Sequence, residues 1–348
     1  MAPKITVCIP AYNRAELLPP LLDSILAQDF DDYDILICED ASPERAAIRA
    51  VANDYMARRP GRLRYVENSS NLGYDGNLRH LVAAAAGEYC LFMGNDDLMC
   101  AGALRIVADA LQRHSNVGVL VRAYADFDGT PDHINQTFRY FPDERFFPAG
   151  ANSIATVFRR SVVISGMTIQ RDAARSFSTD RWDGSLLYQL WLVANILVEK
   201  NAVYLPDILV LRRNGIPPDF GQAEAERGRF VPQNQTPESS VHFMRGMLDI
   251  ALRVEQRRHV RIYRPILADI AHYGYPILSI QANQPFTVFV RYWWRLAALG
   301  LGRYPIFHAY FLALLLLGAP RLDRLIGQIK RSLGHTPNLG RLFRGRQP

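Results

Sequence analysis

Four cysteines in 348 residues, Cys8, Cys38, Cys90 and Cys100, make no ligand-like spacing. Three lie in apolar, strand-like runs, so they read as buried, reduced thiols of a cytosolic protein, not as a zinc site or a disulfide frame. No basic, apolar leader opens the chain: Met1-Ala2-Pro3-Lys4 leads directly into a strand-like run, and no signal peptide is expected. No apolar stretch is comfortably long enough to cross a bilayer; Tyr304–Pro320, at 17 residues, sits at the lower limit for ~30 Å of hydrocarbon. No glycine-rich loop follows the first strand, where Pro10-Ala11-Tyr12-Asn13 stands in place of a phosphate-cradling turn. Internal repeats are absent, which excludes a solenoid. With 49% hydrophobic and 21% charged residues the chain is an ordinary globular one, sized for a large domain with an appendage or for two domains.

Charge is unevenly placed. Residues 291–348 hold ten basic residues and one acid, Asp323, for a net +9, whereas residues 1–290 sum to −3. The basic character therefore belongs to the tail alone and points to an anionic partner there.

Lys4–Pro10 (KITVCIP), Asp34–Cys38 and Glu88–Met93 have the near-continuous hydrophobicity of strands buried on both faces. Arg62–Glu67 reads as another strand. Between them, the periodic apolar residues from Leu18 to Leu26 behind Asn13, the segment after Ser42-Pro43, and Asn77–Ala86 ending at Gly87 read as helices. Strand and helix alternating at this spacing imply an α/β protein with a mainly parallel sheet covered on both faces. Later segments are less regular: a helix to His114, a strand Val117–Tyr124, an aromatic loop 126–148, a strand-like Val162–Ile164, a helix Leu186–Glu199 and a strand Val203–Leu211. Residues 214–238 read as a linker or mobile loop, and Thr236-Pro237 starts a helical C-terminal region.

Gly94-Asn95-Asp96-Asp97 closes the strand around Leu91. Side chains alternate along a strand, so adjacent acids share a face only where the chain turns. Such hard oxygen donors suit Mg²⁺ or Mn²⁺ shared with a phosphate; a solvated loop whose Asp caps the next helix is the other reading. Ligands in parallel sheets bind outside the carboxyl ends of the strands, and Tyr12, Asp40 and the acid pair all fall there.

Taken in order, Thr6–Arg14 (TVCIPAYNR), Ile37–Pro43 (ICEDASP), Asn71–Asn77 (NLGYDGN) and Gly87–Asp97 (GEYCLFMGNDD) resemble the inverting nucleotide-sugar glycosyltransferases of family 2, which have the GT-A fold. The resemblance covers about residues 4–210. It implies a catalytic domain over residues 1–213, with a nucleotide-binding half to residue 100 and an acceptor half from 101. It also implies that Pro10, Ala11, Tyr12 and Asp40 hold the base and ribose of a donor, UDP- or dTDP-linked. Asn95-Asp96-Asp97 takes the family's D-x-D position, with Asn in the first place. Asp96 would bond the ribose or sugar and Asp97 would ligate Mn²⁺ or Mg²⁺. Arg14 is a surface charge or a phosphate contact. The family's base is a carboxylate at the start of a helix in the second half, which Asp183 fits best and Asp180 next, although the usual acidic pair is missing. Trp182 lines an acceptor pocket or belongs to the core.

In the tail, Tyr292-Trp293-Trp294 and the basic residues around Phe311–Leu317 suggest attachment to the inner face of the cell membrane, against a packed core or dimer helix and against a true span. Nucleic acid is not expected, because the basic residues flank aliphatic runs instead of interleaving with aromatics. Attachment suits a lipid-linked saccharide acceptor in surface-polysaccharide assembly. The rivals are a sugar nucleotidyltransferase, which would show the missing glycine loop, and a non-catalytic nucleotide-sugar-binding protein.

Overall fold

Residues 3–333 are described by the structure, a computed structural model. Strands β1 (Ile5–Ala11), β2 (Tyr33–Glu39), β3 (Leu63–Glu67) and β4 (Tyr89–Phe92) alternate with helices α1 (Leu18–Leu26), α2 (Arg45–Arg58) and α3 (Gly73–Ala84). β1 and β2 are buried almost throughout, as their unbroken apolar runs require. Gly87 does not cap α3, which ends at Ala84; a Cβ at Gly87 would lie 2.5 Å from the Thr6 nitrogen, so glycine lets the chain pass against β1.

Then come β5 (Leu98–Met99), α4 (Ala103–Arg113), β6 (Val117–Phe127), β7 (Ile134–Phe138), β8 (Arg145–Phe147), α5 (Ala151–Val157), β9 (Thr168–Gln170), α6 (Arg171–Ser176), α7 (Tyr188–Ile196) and β10 (Asn201–Arg213). The sheet order is β3-β2-β1-β4-β9-β6-β10-β5, with β7 on β6 and β8 on β10. The first four strands are parallel. β9 inserts antiparallel between β4 and β6, and β10 returns parallel to β6. The expected strand Val162–Ile164 is instead a loop, because Thr168–Gln170 takes the pairing beside β4.

The C-terminal region holds α8 (Pro237–Arg258), α9 (Tyr263–His272), α10 (Gly274–Ser279), α11 (Phe286–Ala298), α12 (Pro305–Leu317) and α13 (Ala319–Leu333). Thr236 caps α8 by accepting from Ser239 N at 3.1 Å, with Pro237 in the first turn. These helices join the sheet's own core: one continuous apolar cluster runs from Cys8 in β1 through α3 and α7 to Leu322 in α13. Of the three aromatics expected at a membrane interface, Tyr292 is buried, Trp293 stacks on Phe311 at 4.5 Å, and Trp294 is exposed. Among the described residues no helix is long and apolar enough to cross a membrane.

Candidate functional site

A cavity of about 400 Å³ opens at the carboxyl ends of β1, β2 and β4. Pro10, Tyr12, Arg14, Asp40, Asn95, Asp96 and Asp97 line it, so residues singled out from three separate motifs meet in one place. Ala11 is buried at the end of β1 beneath the lining. Asp180 and Asp183 are not part of the lining.

After β1 the chain kinks through two successive left-handed residues, Asn13 (φ 54°) and Arg14 (φ 62°). Such a conformation is unfavourable for arginine and points to a local role. It brings the Arg14 guanidinium onto Asp96, while its Nη2 donates to Pro217 O at 2.8 Å. Asn13 is therefore no helix cap; its amide donates to Asp219 at 3.3 Å.

Asp40 follows β2 and accepts from Asn68 Nδ2 at 2.7 Å and Leu72 N at 2.9 Å. Asn77 supports the same network by donating to Cys38 O at 3.1 Å. Burial pushes the Asp40 carboxyl up to about 6 against these hydrogen bonds.

The acid pair sits where β4 ends. Asn95 donates to Asn13 O at 3.0 Å and ties this turn to the one after β1. Asp97 is 4% exposed. It accepts from the Ser165 hydroxyl and, at 2.9 Å, from the backbone of Arg213 at the end of β10. Gly94 lies so close that a Cβ there would be 3.0 Å from an Asp97 oxygen. Burial, and then the charge of Asp96, push the Asp97 carboxyl up to about 7.

Several participants have no motif in the sequence. Arg212 and Arg213 line the cavity from β10; Arg212 pairs with Asp126 at 2.6 and 2.8 Å, and Arg213 donates to Asp96 O at 3.1 Å. Their only signal is the basic pair closing an otherwise apolar strand. Residues 216–226, expected as linker, lie across the cavity: Asp219, Phe220 and Glu226 line it. Glu226 is 3% exposed and accepts from Tyr74 N at 2.8 Å and Gly221 N at 2.7 Å, which fastens this roof to the start of α3.

The lining contains five carboxylates (Asp40, Asp96, Asp97, Asp219, Glu226) and three guanidiniums, hence −2 when all are ionised. A diphosphate would meet net repulsion unless a cation entered with it. Asp97 fits that need: it offers hard oxygens, and a divalent ion would offset its unfavourable buried charge. Among the described residues no group of three or more His, Cys, Asp or Glu forms a ready-made metal cage, so phosphate and water oxygens would complete the coordination.

A folded-state pKa raised above the unfolded one gives stability that is full at acidic pH and is lost as pH rises through the folded value. Asp97→Asn is therefore expected to be more stable than the wild type at pH 8 without metal, by on the order of 2 kcal/mol. The gain should vanish towards pH 4, as thermal scans across pH would read.

Residues 6–167 match the family model described as Glycosyl transferase family 2. Over those residues the chain is similar to the family 2 glycosyltransferases. It is 33% identical to abequosyltransferase RfbV of Salmonella typhimurium over 113 residues, which are 32% of this chain and 34% of the relative. Against the Campylobacter jejuni GalNAc(5)-diNAcBac-PP-undecaprenol beta-1,3-glucosyltransferase the identity is 31% over 105 residues, 29% of this chain and 32% of the relative. The chain thus spans about a third of the length of these relatives. In fold it is similar to S. aureus TarS 1-349 in complex with UDP-GlcNAc, with a TM-score of 0.57 at 15% identity, covering 85% of this chain and 80% of that one. The mixed sheet with helices on both faces is the GT-A architecture.

Two carboxylates tie α3 to the segment that leads into α7. Asp183 pairs through both oxygens with Arg79 of α3, one contact at 2.8 Å; Asp180 is exposed. Asp75 of α3, 1% exposed, accepts from Ser185 N at 2.9 Å and from Leu186 N and Tyr188 N at 2.8 Å, satisfying the first N–H of α7 and bracing the turn before it. That clasp carries Leu186, in a left-handed conformation (φ 63°), into the cavity lining. Trp182 lies in the core against Trp191, ring centroids 5.7 Å apart, outside the lining.

Proposed function

We propose that the protein is a metal-dependent inverting glycosyltransferase that moves a sugar from a UDP- or dTDP-linked donor to a hydroxyl of a saccharide. The observation that carries this reading is the meeting of Tyr12, Asp40 and the Asp96–Asp97 pair in one cavity. Tyr12 offers its ring to the base, Asp40 accepts an imide N–H, and Pro10 and Ala11 shape the floor. Asp96, held by Arg14, orients the ribose or sugar, and Asn95 fixes the turn that presents it. Arg14, Arg212 and Arg213 meet the diphosphate. Asp97 would hold Mn²⁺ or Mg²⁺, which when bound offsets the charge that develops on the departing nucleoside diphosphate. No protonated acid is then required on the leaving side.

On the acceptor side a carboxylate must take the hydroxyl proton from the face opposite the leaving group. The resemblance assigns this to Asp183, with Asp180 next; Arg79 would orient the Asp183 carboxylate. Glu226 is a further candidate, drawn from the geometry, because it lies in the cavity lining and Asp183 does not. Asp183→Asn is expected to lower kcat by at least about 10²-fold with donor affinity retained. If Asp183→Asn keeps full activity and Glu226→Gln loses it, the base is Glu226.

A relative whose name carries an undecaprenol diphosphate supports a lipid-linked acceptor, and with it work at the inner face of the cell membrane in surface-polysaccharide assembly. Incubation with Mn²⁺, a panel of nucleotide sugars and lipid-linked saccharides tests the proposal. A product with inverted anomeric configuration is expected. A nucleotide sugar formed from a sugar phosphate would instead mark a nucleotidyltransferase, and donor binding without transfer to any acceptor would mark a binding protein.

A further inference from the structure

Helix α12 reads Pro-Ile-Phe-His-Ala-Tyr-Phe-Leu-Ala-Leu-Leu-Leu-Leu and has no charged residue on any face. Phe307, Tyr310, Phe311 and Leu314, at helical spacing, are buried against the other C-terminal helices. The opposite face is equally apolar but open: Leu312 is 54% exposed and Leu316 79%, with Leu315 and Leu317 beside them. His308 turns to Gly302 O at 2.7 Å. A helix apolar all round belongs inside a core or in lipid, and this one is only half covered.

Past Gly318 (φ 74°) the chain turns into α13, which is amphipathic. Its apolar residues Leu322, Leu325, Ile326, Ile329 and Leu333 follow a helical period; Leu322 is buried, whereas Leu325 and Leu333 are exposed. Arg321 and Arg324 are exposed alongside that stripe. Residues 291–348 add a net +9 in sequence.

We propose that α12 and α13 form a docking surface for an anionic lipid bilayer, lying in its plane. The exposed leucines enter the boundary between headgroups and acyl chains, and Arg321 and Arg324 meet lipid phosphates. Length excludes a span: the 13 residues of α12 extend about 20 Å, against ~30 Å of hydrocarbon. Charge favours lipid over a second copy of the chain. A two-fold interface places the same patch on both partners, so it would bring Arg321 and Arg324 of the two copies together with only Asp323 to offset them. The proposal rests on this surface alone, and its failure would leave the donor-site reading intact.

The test uses the full chain with vesicles of phosphatidylcholine, alone or mixed with phosphatidylglycerol. Co-sedimentation with the mixed vesicles is expected to be at least about tenfold stronger than with phosphatidylcholine alone, and to weaken with added salt. Leu312→Glu/Leu316→Glu and Arg321→Glu/Arg324→Glu should each lower vesicle binding at least about tenfold with an unchanged far-ultraviolet circular dichroism spectrum. These positions are exposed, so the variants should fold. Equal binding to neutral vesicles, or wild-type binding by Leu312→Glu/Leu316→Glu, would overturn the proposal. It would also fail if the wild type bound no vesicles and instead formed a dimer that the leucine variant dissociates.

Discussion

Asp97→Ala is expected to lower kcat/KM for sugar transfer by at least about 10³-fold, equivalent to roughly 4 kcal/mol of transition-state stabilisation. Two effects act together. The change removes the hard oxygens that a divalent ion would use at this edge of the sheet, so charge on the leaving diphosphate goes uncompensated. It also strands the Ser165 hydroxyl and the Arg213 N–H, which the carboxylate now accepts. Asp97→Asn separates the effects, because an amide can bond both groups yet carries no charge. Initial rates at saturating Mn²⁺ should be as low for Asn as for Ala. Activity retained in Asn but lost in Ala would leave Asp97 as a brace for β10 and not a metal ligand.

The largest expected loss of stability belongs to a residue outside the cavity. Asp75→Ala should destabilise the fold by about 2–4 kcal/mol, since it leaves the buried Leu186 and Tyr188 N–H groups unpaired at roughly 1–3 kcal/mol each, while Ser185 N keeps its bond to Trp182 O at 3.0 Å. In a chain of this size that amounts to a fall in Tm of roughly 5 °C, readable by calorimetry. Asp75→Asn should fall between, because one carbonyl oxygen still accepts while the amide faces donors. Leu186 should shift with the clasp, so turnover is expected to fall even at temperatures where the variant remains folded. A Tm unchanged in Asp75→Ala would mean that α7 finds another cap.

Legibility in the sequence followed the range of the interactions. β1, β2 and β4 were readable because burial on both faces writes itself as an unbroken apolar run. That Tyr12, Asp40 and the acid pair share one cavity was legible because all three follow strands at the same edge of the sheet. Asp75 left no trace, since its partners lie 110 to 113 residues further on. The roof over 216–226 was missed for a related reason: composition marks a segment as loop but does not say what it covers. Arg122, read only as part of a strand, is completely buried and lies over the Tyr124 ring at 4.8 Å. Burial lowers its pKa, and nothing in the chain's pattern distinguishes it from a surface arginine. The tail's 17-residue run looked borderline for a span; Gly318 breaks it into α12 and α13.

The central claim is that a nucleotide-sugar donor enters the cavity at the ends of β1, β2 and β4 with a divalent ion on Asp97. A crystal structure of the protein with a uridine or thymidine diphosphate sugar and Mn²⁺ tests it most directly, since anomalous scattering locates the manganese. The account predicts the base against Tyr12 and Asp40, the diphosphate beside Arg14 and Arg213, and an anomalous peak within coordination distance of an Asp97 oxygen, about 2.0–2.4 Å. A donor bound elsewhere, or manganese bound away from Asp97, would contradict it.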